Sequence, residues 1–544
     1  MADLEHKFDT KVQEIFDVLV QREPAWATQL GIHEYDDKLA DMSRERFLED
    51  IQLTEKWLDG LKGFDEGKLS QERKIDLESL IYTLELALYQ EKEIRNWERN
   101  PYLVADFLDH IEPLFRKDFA PLSERIELIT GRVNRADEFL GQLRTLLGKK
   151  PEKLWCGMAI ELCQLTPHFL NTILKASSES GEVTKPVVSG LNEAIKKAER
   201  EIKEHKRWLE EEVRPKAVDQ WAMGREKFEK LLQKRLLGMN SDQILALGQQ
   251  LLEERKEKLD EIAHKVLEEE NVKPGEDVVK QARQIIESDH PQGFSQVLKA
   301  YEDSIRESRQ FVIDHNLATF PEGESLTVME TPIYLRSIMP LAAYISPGRF
   351  DKKQEGYYLV TPREEVTQFN YPDISNTTVH EGYPGHHLQL SCANRNPSLA
   401  RVLLHPTETI EGWAHYCEEL MKEHGYHNGP KDMFVQVNDE VWRAVRIILD
   451  VKMHRGEMGV EEAVEFLVRQ TGMNRHVATS EVRRYTLTPS YQLSYLLGKV
   501  MIKQLKDRVK KVKGDRFNER EFHDALLYAG SLPIKLMEKA LVEY

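Results

Sequence analysis

The chain has 544 residues, of which 40% are hydrophobic and 31% charged, a composition typical of a globular protein rather than a disordered one. Its net charge of -17 repels nucleic acid, and no basic cluster with interleaved aromatic residues offsets that repulsion. No run of about 18 apolar residues occurs, so we expect neither a transmembrane helix nor a membrane partner.

The N-terminus and the cysteines indicate a cytoplasmic protein. Residues 1–20 carry acidic side chains early and lack the apolar core of a secretory signal. A reducing cytosol also fits the cysteines, which are too few for a disulfide framework and form no CxxC pair. The oligomeric state stays open, with a homodimer as one option. The four cysteines are Cys156, Cys163, Cys392 and Cys417.

Residues 1–320 are predicted to form a helical N-terminal lobe. Two stretches, 191–213 and 241–270, show helical apolar spacing on charged backgrounds, and Ser241 with Gln243 suits a helix start. No heptad pattern persists long enough for a coiled coil. Prolines are expected to divide the earlier helices, at Pro101, Pro113, Pro121, Pro151 and Pro167.

Residues 321–365 are predicted to form a small antiparallel β-sheet within a mainly α fold. Helical patterning resumes near residue 377 and continues to the C-terminus. We therefore assign 321–544 to a catalytic lobe that contains the sheet and the metal-site helices and forms one interlocked unit with the N-terminal lobe. Three short β-rich runs, each closed by a proline, make up the predicted sheet: 326–332, 341–347 and 356–362.

The stretch TTVHEGYPGHHLQLSCANR (377–395) carries the strongest functional signal. In the zinc-peptidase motif HExxH, two histidines lie about 40° apart around a helix, so both rings face one metal. The glutamate after the first histidine lies beside the activated water and takes its proton. His380 and Glu381 match the start of this motif, and the next histidines are His386 and His387.

The spacing to the second histidine is longer than in HExxH. On a regular helix, His386 would point about 120° away from His380, and His387 only about 20° away. Pro384 interrupts helical hydrogen bonding, and the glycines on either side make a bulge less costly. If two residues loop out, His386 takes the second ligand position. We therefore favour His386 and keep His387 as the alternative ligand.

A zinc site needs a third protein ligand and an open position. Glu411 lies 30 residues after Glu381, at the beginning of an apparent helix, where the alternative role is that of an acid favoured by the helix dipole. In zinc peptidases of the glutamate-ligand class, the third ligand follows the motif by a few tens of residues, on the next helix. We therefore predict one zinc ion per chain, bound by His380, His386 and Glu411.

Two more acids follow on the same apparent helix. Glu418 and Glu419 lie about two turns after Glu411, and we expect them to support a ligand histidine or to face solvent. This donor set does not specify the metal, because histidine and glutamate also bind manganese and cobalt.

A second group of functional residue types occurs in EVRRYTLTPSYQLSYLLGKV (481–500). A tyrosine hydroxyl can donate to the oxyanion of a tetrahedral intermediate. An arginine can hold a peptide carboxylate through two parallel hydrogen bonds. For each aromatic residue the alternative is a place in the core. The candidates, crowded around Pro489, are Arg483, Arg484, Tyr485, Tyr491 and Tyr495.

Three segments resemble the signatures of the domain-of-unknown-function 885 (DUF885) family: HEGYPGHHLQ, EGWAHYCEE and RRYTLTPSYQLSYLLGK. The resemblance covers most of the chain. It implies a glutamate-ligand zincin related to thimet oligopeptidase and carboxypeptidase Taq, with a two-lobed, mostly helical body that encloses a deep channel. The sequence departs from the family pattern at Pro489-Ser490-Tyr491, where the family has an Ala/Gly-rich turn.

The resemblance also implies roles for individual residues. Tyr495 corresponds by position to the tyrosine that stabilises the transition state in the thimet group. In zincins, the strand before the motif helix pairs with the substrate backbone. Here that strand is LAAYISP (341–347), which makes Ala343 and Tyr344 the expected substrate contacts.

The residues and the resemblance together predict a zinc-dependent peptidase that cleaves short unfolded peptides, with Glu381 as general base and Tyr495 or Tyr491 at the oxyanion. One alternative is a carboxypeptidase, in which Arg483 or Arg484 grips the terminal carboxylate. A second alternative is a metal-binding scaffold without catalytic activity.

Overall fold

The computed structural model describes residues 2–332, 336, 342–363 and 366–543. Helices dominate it, which confirms the predicted mainly α fold class. The chain divides into two compact units. The first contains the described residues of 1–221, 331–340 and 347–353, and the second those of 222–330, 341–346 and 354–544. Residues 222–320, assigned from sequence to the N-terminal lobe, thus belong to the second unit.

The described residues of the first unit form nine α-helices joined by short loops and 3-10 or π turns. Pro113 and Pro167, expected to divide helices, both lie inside one. Buried apolar side chains such as Phe107, Ile129 and Phe139 form its core. The helices are α1 (Ala2–Arg22), α2 (Pro24–Leu30), α3 (Arg44–Lys62), α4 (Gln71–Leu88), α5 (Asp106–Arg116), α6 (Leu122–Asn134), α7 (Ala136–Leu146), α8 (Lys153–Glu179) and α9 (Lys185–Trp208).

The second unit contains the remaining helices and the sheet. Among the helices described in either unit, none combines the length and apolarity needed to cross a bilayer. The helices are α10 (Arg225–Lys234), α11 (Ser241–Glu269), α12 (Val278–Ser288), α13 (Phe294–Asp314), α14 (Tyr371–Glu381), α15 (His386–Ala393), α16 (Leu399–Val402), α17 (Thr407–Glu423), α18 (Pro430–His454), α19 (Val460–Thr471), α20 (Arg475–Tyr485), α21 (Ser494–Lys513), α22 (Glu519–Tyr528) and α23 (Ile534–Glu538).

The long predicted helices occur close to their expected positions. The stretch 191–213 corresponds to α9 followed by a π turn at Leu209–Val213. The stretch 241–270 corresponds to α11, whose first turn is capped by Asn240. The Asn240 side chain accepts from the Gln243 amide while the Gln243 side chain accepts from the Asn240 amide, so two otherwise unpaired N–H groups are satisfied.

The sheet has three strands, β1 (Ser325–Glu330), β2 (Ala342–Ile345) and β3 (Glu355–Val360), in the order β1-β3-β2. The prediction of an antiparallel sheet is wrong in part: β2 pairs antiparallel with β3, but β1 pairs parallel with it. The most buried strand, β3, takes the centre. Strand β1 therefore lies on the opposite side of β3 from β2. No hairpin joins β1 to β3, so the two strands can run parallel. Leu341, within the predicted strand, lies outside the described residues.

Two helix pairs form the framework around the functional residues. Helix α18 packs along α11, and α17 packs along α21. The second pair approaches closely because glycines face each other: a Cβ on Gly498 would lie 2.0 Å from the Glu408 carbonyl oxygen, and one on Gly412 would lie 2.5 Å from the Gly498 carbonyl carbon. Glu411 is thereby held close to the residues of α21.

Candidate metal centre

The HEGYPGHH segment forms two helices separated by a short break. Helix α14 ends at Glu381 and α15 begins at His386, so a full interruption replaces the expected bulge within one helix. The Gly385 amide donates to the carbonyl of Val379 at 3.0 Å. A Cβ on Gly385 would lie 1.9 Å from the His380 carbonyl oxygen. Only glycine therefore fits where the chain returns past the end of α14.

A hydrogen bond joins helix α17 to this break. The Trp413 indole N–H donates to the carbonyl of Pro384 at 2.8 Å, in a buried position. Trp413 is 2% exposed, so burial of its ring also favours the contact. The contact holds α17, which carries Glu411, against the break between the two histidines.

The break brings together the three predicted ligands. Nε2 of His386 lies 3.5 Å from Oε2 of Glu411, and Nε2 of His380 lies 3.9 Å from the same oxygen. One ligand atom from each of the three residues lies within 4.8 Å of the other two. The side chains are 11–13% exposed, so the cluster is largely buried yet reachable.

Glu418 contacts His380 at Nδ1, the ring nitrogen that does not face Glu411. Its Oε1 lies 2.7 Å from His380 Nδ1, and a carboxylate can only accept, so Nδ1 carries the proton. When the ring is neutral, the Nε2 lone pair is directed at Glu411. A carboxylate that fixes the tautomer and orientation of a ligand histidine is a recurrent feature of zinc sites. This position agrees with the supporting role expected for Glu418, whereas Glu419 pairs with Lys499 and Lys503.

His387 belongs to a different network. Its Nε2 lies 2.9 Å from Glu324 Oε2 and its Nδ1 lies 3.0 Å from the Tyr344 hydroxyl. Glu324 also accepts from Arg309 and Tyr383. His387 is completely buried and both of its ring nitrogens are occupied, so His386 is the histidine that faces Glu411.

Charges in the cluster favour an ionised carboxylate beside the histidines. Burial opposes ionisation of Glu411, but His386, His380 and Tyr491 outweigh it and hold its pKa well below the usual value. Burial likewise opposes protonation of His380, but Glu418, Glu381 and Glu411 outweigh it and raise the pKa of His380 to about 9. Negative charge therefore dominates around His380, which suits a cation.

The residues fit a zinc ion by donor type and by spacing. Two imidazole nitrogens and a carboxylate oxygen are common zinc ligands, and ligands about 2.1 Å from a tetrahedral ion are about 3.4 Å apart. The observed 3.5 and 3.9 Å separations require only small side-chain movements. Among the described residues, His386 Nδ1 is buried without a hydrogen-bond partner, so nothing fixes its ring against such a movement.

A second group with metal-ligand spacing shares His380 and adds His415 and Glu418. It is a poorer cation site. Glu418 already accepts from His380, and the Arg443 Nε–H donates to His415 Nε2 at 3.1 Å. A guanidinium that close opposes a bound cation. These side chains therefore support the first group rather than form another centre.

Two predicted tyrosines border the cluster. The Tyr491 hydroxyl donates to Glu411 Oε1 at 3.0 Å, and the Tyr495 hydroxyl lies 3.4 Å from that of Tyr491. The loop before α21 is fixed by Asp450, whose carboxylate accepts from the amides of Ser490 and Leu493. Both hydroxyls are thus placed beside the proposed third ligand.

Glu381 directly follows His380, and the predicted strand contact Tyr344 lies beside His387. Glu381 is partly exposed, and its charge acts on His380 and on Tyr344. Tyr344 bonds His387, and Ala343 pairs with Leu359 in the sheet. Strand β2 therefore lies against the motif helices, as the sequence predicts.

The arginines and Tyr485 of the last signature are less suited to substrate contact. Tyr485 is completely buried, and the Arg446 guanidinium lies 5.4 Å from its ring centre, which agrees with the alternative of a place in the core; its contact with substrate stays a prediction. Arg484 is half-exposed and pairs with Glu481 at 2.7 Å. Arg483 is partly exposed on the same helix. Successive residues of a helix are rotated by about 100° around its axis, which explains why neighbours in sequence differ in burial.

Sequence reasoning missed His415, Arg443 and Glu324. His415 lies one helical turn from Glu411, so helical spacing already placed it on the same face. Arg443 on α18 and Glu324 before β1 join the network only through tertiary contacts. No local pattern marked them.

Comparison with protein families decides where the chain belongs. The family described as “Bacterial protein of unknown function (DUF885)” matches residues 24–541. The chain belongs to this family.

Two solved structures resemble this DUF885 protein over nearly its whole length. A “putative lipoprotein of unknown function” from Shewanella oneidensis is 23% identical, with a TM-score of 0.80 over 98% of this chain and 99% of that one. A “putative lipoprotein” from Colwellia psychrerythraea is 18% identical, with a TM-score of 0.84 over 99% of this chain and 98% of that one. At these identities the likeness shows a shared fold alone. No curated protein matches the chain significantly.

Proposed function

We propose that this DUF885 protein is a single-zinc peptidase with a zincin-like catalytic unit. The observation that carries the proposal is the convergence of His380, His386 and Glu411 within 4.8 Å of one another, directly after a helix that ends in His-Glu. Two imidazoles, one carboxylate and an adjacent free glutamate match the parts of a glutamate-ligand zinc hydrolase.

The residues around the proposed zinc take separate roles. A zinc ion, when bound, polarises the scissile carbonyl and lowers the pKa of water. Glu381 accepts a proton from the attacking water and passes it to the leaving amine. Glu418 keeps His380 in the tautomer whose Nε2 is available, which its 2.7 Å hydrogen bond supports.

A tyrosine hydroxyl completes the proposed site. The Tyr491 hydroxyl donates to Glu411 at 3.0 Å, whereas the hydrogen bond of the Tyr495 hydroxyl, to that of Tyr491, is longer at 3.4 Å. Exchanging that long contact for a substrate oxyanion costs little hydrogen-bond energy. Tyr495 is therefore the better oxyanion donor, and Tyr491 orients both it and the glutamate.

Short unfolded peptides are the proposed substrates. In the described sheet, β2 has a neighbour only on its β3 side, and Tyr344 fixes the strand to His387 of the motif. An extended peptide can add to the open edge through backbone hydrogen bonds, which recognise any unfolded sequence. Folded proteins keep most of their backbone groups paired and so offer few such strands.

The general-base role is tested by Glu381→Gln. The amide keeps the shape of the side chain but cannot take a proton, so we expect kcat on a mixture of short peptides to fall by about 100-fold or more while bound zinc is unchanged. The matched control is Glu423→Gln, whose side chain is 54% exposed on α17 and which should behave as wild type. Wild-type activity in Glu381→Gln excludes the mechanism.

A metal-binding scaffold without activity is the rival. It predicts bound zinc but no hydrolysis of any peptide by the zinc-loaded wild type. In the part of the chain that the structure describes, β2 has no second partner strand and Glu381 is partly exposed next to His380. Both features favour the peptidase, because a purely structural zinc site has four protein ligands and needs neither of them.

A further inference from the structure

One face of α18 carries two arginines toward α21. Arg443 and Arg446 lie three residues apart, so they share a side of the helix. Both guanidinium groups contact the same two rings: Arg443 lies 4.2 Å from the Trp442 ring centre and 5.8 Å from that of Tyr495, and Arg446 lies 5.3 and 4.0 Å from these centres. The two positive charges are therefore close neighbours beside the proposed oxyanion tyrosine.

The charges of this pair are only half compensated. Arg443 pairs with Asp439 at 3.4 Å and donates to His415. Arg446 is 2% exposed, yet within the described part of the chain no carboxylate lies within 4.0 Å of its guanidinium. Its Nη2 donates to the neutral Gln492, and its buried Nε has no hydrogen-bond partner. A buried cation without an anion is costly, and aromatic faces offset only part of that cost.

The excess positive charge lies next to the proposed metal centre. The Tyr495 ring stacks on Arg446, and its hydroxyl leads through Tyr491 to Glu411. The ring of Tyr495 also contacts the ring of His415, at 5.8 Å between centres. The Tyr495 and Tyr491 side chains would lie between an anionic group bound here and the ligand cluster. Arg443, 12% exposed, is the more accessible arginine and would contact the anion, whereas Arg446, 2% exposed, would add positive charge beside it.

We propose that Arg443 and Arg446 form the receptor for a carboxylate of the peptide substrate, a role that rests on the proposed peptidase function. Two guanidinium groups, one of them without an ion-pair partner, supply the donors and the charge that a carboxylate requires. This places carboxylate recognition on α18 rather than on Arg483 or Arg484, of which Arg484 is already paired with Glu481.

Two peptide pairs test the proposal and separate the sources of the carboxylate. One pair differs only at the C-terminus, free acid against amide. In the other pair both peptides are amidated, and one has a glutamate where the other has a glutamine. This exchange is made at each position of the peptide in turn. We expect the zinc-loaded wild type to favour the charged member of at least one pair by about tenfold or more in kcat/KM. A ratio near one in both pairs overturns the proposal.

Variants locate the receptor. Arg446→Met and Arg443→Met keep side-chain volume and remove charge, so the wild-type preference should fall toward one, while exposed Arg469→Met on α19 keeps it. If Arg446→Met does not fold, Arg443→Met and the charge-conserving Arg446→Lys test the receptor instead. Arg446→Lys is expected to retain part of the preference for the charged peptide. A preference that survives removal of Arg443 and Arg446 but disappears in Arg484→Met overturns the proposal.

Binding separates failure of this inference from failure of the proposed function. If the zinc-loaded wild type cleaves none of the peptides, the peptidase proposal fails. Calorimetric titration of zinc-loaded Glu381→Gln with the same peptide pairs still measures how tightly the receptor binds each peptide. Binding at least about tenfold tighter to a charged member supports it, and equal binding within both pairs rejects it.

Discussion

At the scale of single residues, His380 is fixed by what each ring nitrogen contacts. Nδ1 lies 2.7 Å from Glu418 and Nε2 lies 3.9 Å from Glu411. The first contact settles the tautomer of the neutral imidazole, and in that form the lone pair of Nε2 is directed at the cluster. A buried carboxylate two turns beyond Glu411 thus determines whether the first histidine of the motif can bind a metal.

The first residue-scale prediction concerns Glu418. In Glu418→Gln the negative charge behind His380 is lost, so the imidazole becomes a weaker ligand. We expect zinc affinity, measured by competition with a chelator of known strength, to fall by about 10- to 100-fold. Glu423→Gln on the same helix is the matched control. An unchanged affinity in Glu418→Gln would contradict the supporting role.

The second residue-scale prediction concerns pH. Because the pKa of His380 is raised to about 9 in the metal-free chain, a proton occupies Nε2 at neutral pH and competes with zinc. Apparent zinc affinity should therefore rise by about tenfold per pH unit between pH 7 and 9, with proton release on binding. The raised pKa also stabilises the metal-free fold below about pH 6.5, and this contribution disappears as pH rises through about 9.

Proton release is measured by calorimetry in buffers of different ionisation enthalpy. An affinity that is level between pH 7 and 9 would show that His380 holds no competing proton. His387→Gln serves as a control, because His387 lies in the separate Glu324 network and should leave the slope unchanged.

The sequence predicted that His380, His386 and Glu411 come together because local chemistry limits the options, whereas their binding of a metal stays a prediction. Pro384 and its flanking glycines rule out a continuous helix, and a new helix that begins at His386 resets the rotation that would otherwise favour His387. The partner of His387 could not be predicted, because Glu324 is 63 residues away. Arg443 and Arg446 were missed for the same reason: their contacts exist only after α18 packs beside α21.

At the scale of elements, the crossing of α17 and α21 sets the position of Glu411. Gly412 and Gly498 face each other so closely that a Cβ on either would overlap backbone of the other helix. Helix interiors normally disfavour glycine by about 1 kcal/mol relative to alanine. Its presence on both helices therefore reflects a close approach that no larger residue permits.

Gly498→Ala tests this crossing. The new methyl would lie 2.0 Å from the Glu408 carbonyl oxygen, so the helices must separate. We expect the free energy of unfolding to fall by about 1–3 kcal/mol or more, and zinc affinity to fall because Glu411 moves with α17. In Gly190→Ala on α9, where a Cβ meets nothing within 4 Å, stability should be equal or higher. Equal stability and zinc affinity in Gly498→Ala would contradict this account.

Elements were easier to predict than their pairing. Helical periodicity located α9 and α11 within a few residues, because it depends on contacts one turn apart. The direction of β1 could not be predicted, since it depends on how the chain from Glu330 to Glu355 returns to β3 rather than on the alternation of side chains.

At the scale of the whole molecule, composition and charge predicted a globular protein but not how its chain divides into units. The helical class came from the spacing of apolar residues. The division near residue 221 has no marker in composition, because helix α10 continues the same charged, amphipathic pattern. The cytoplasmic location stays a prediction, and four buried free thiols suit a reducing compartment.

The zinc content of the purified chain tests the central claim most directly. After loading with zinc and removal of loosely bound metal, mass spectrometry should find about one zinc per wild-type chain and per Glu423→Gln chain. Glu411→Gln, which keeps the shape of the side chain but loses the anionic ligand, should retain less than about a tenth of that under the same conditions. A wild-type content near zero, or full zinc retention in Glu411→Gln, would contradict a centre built from His380, His386 and Glu411.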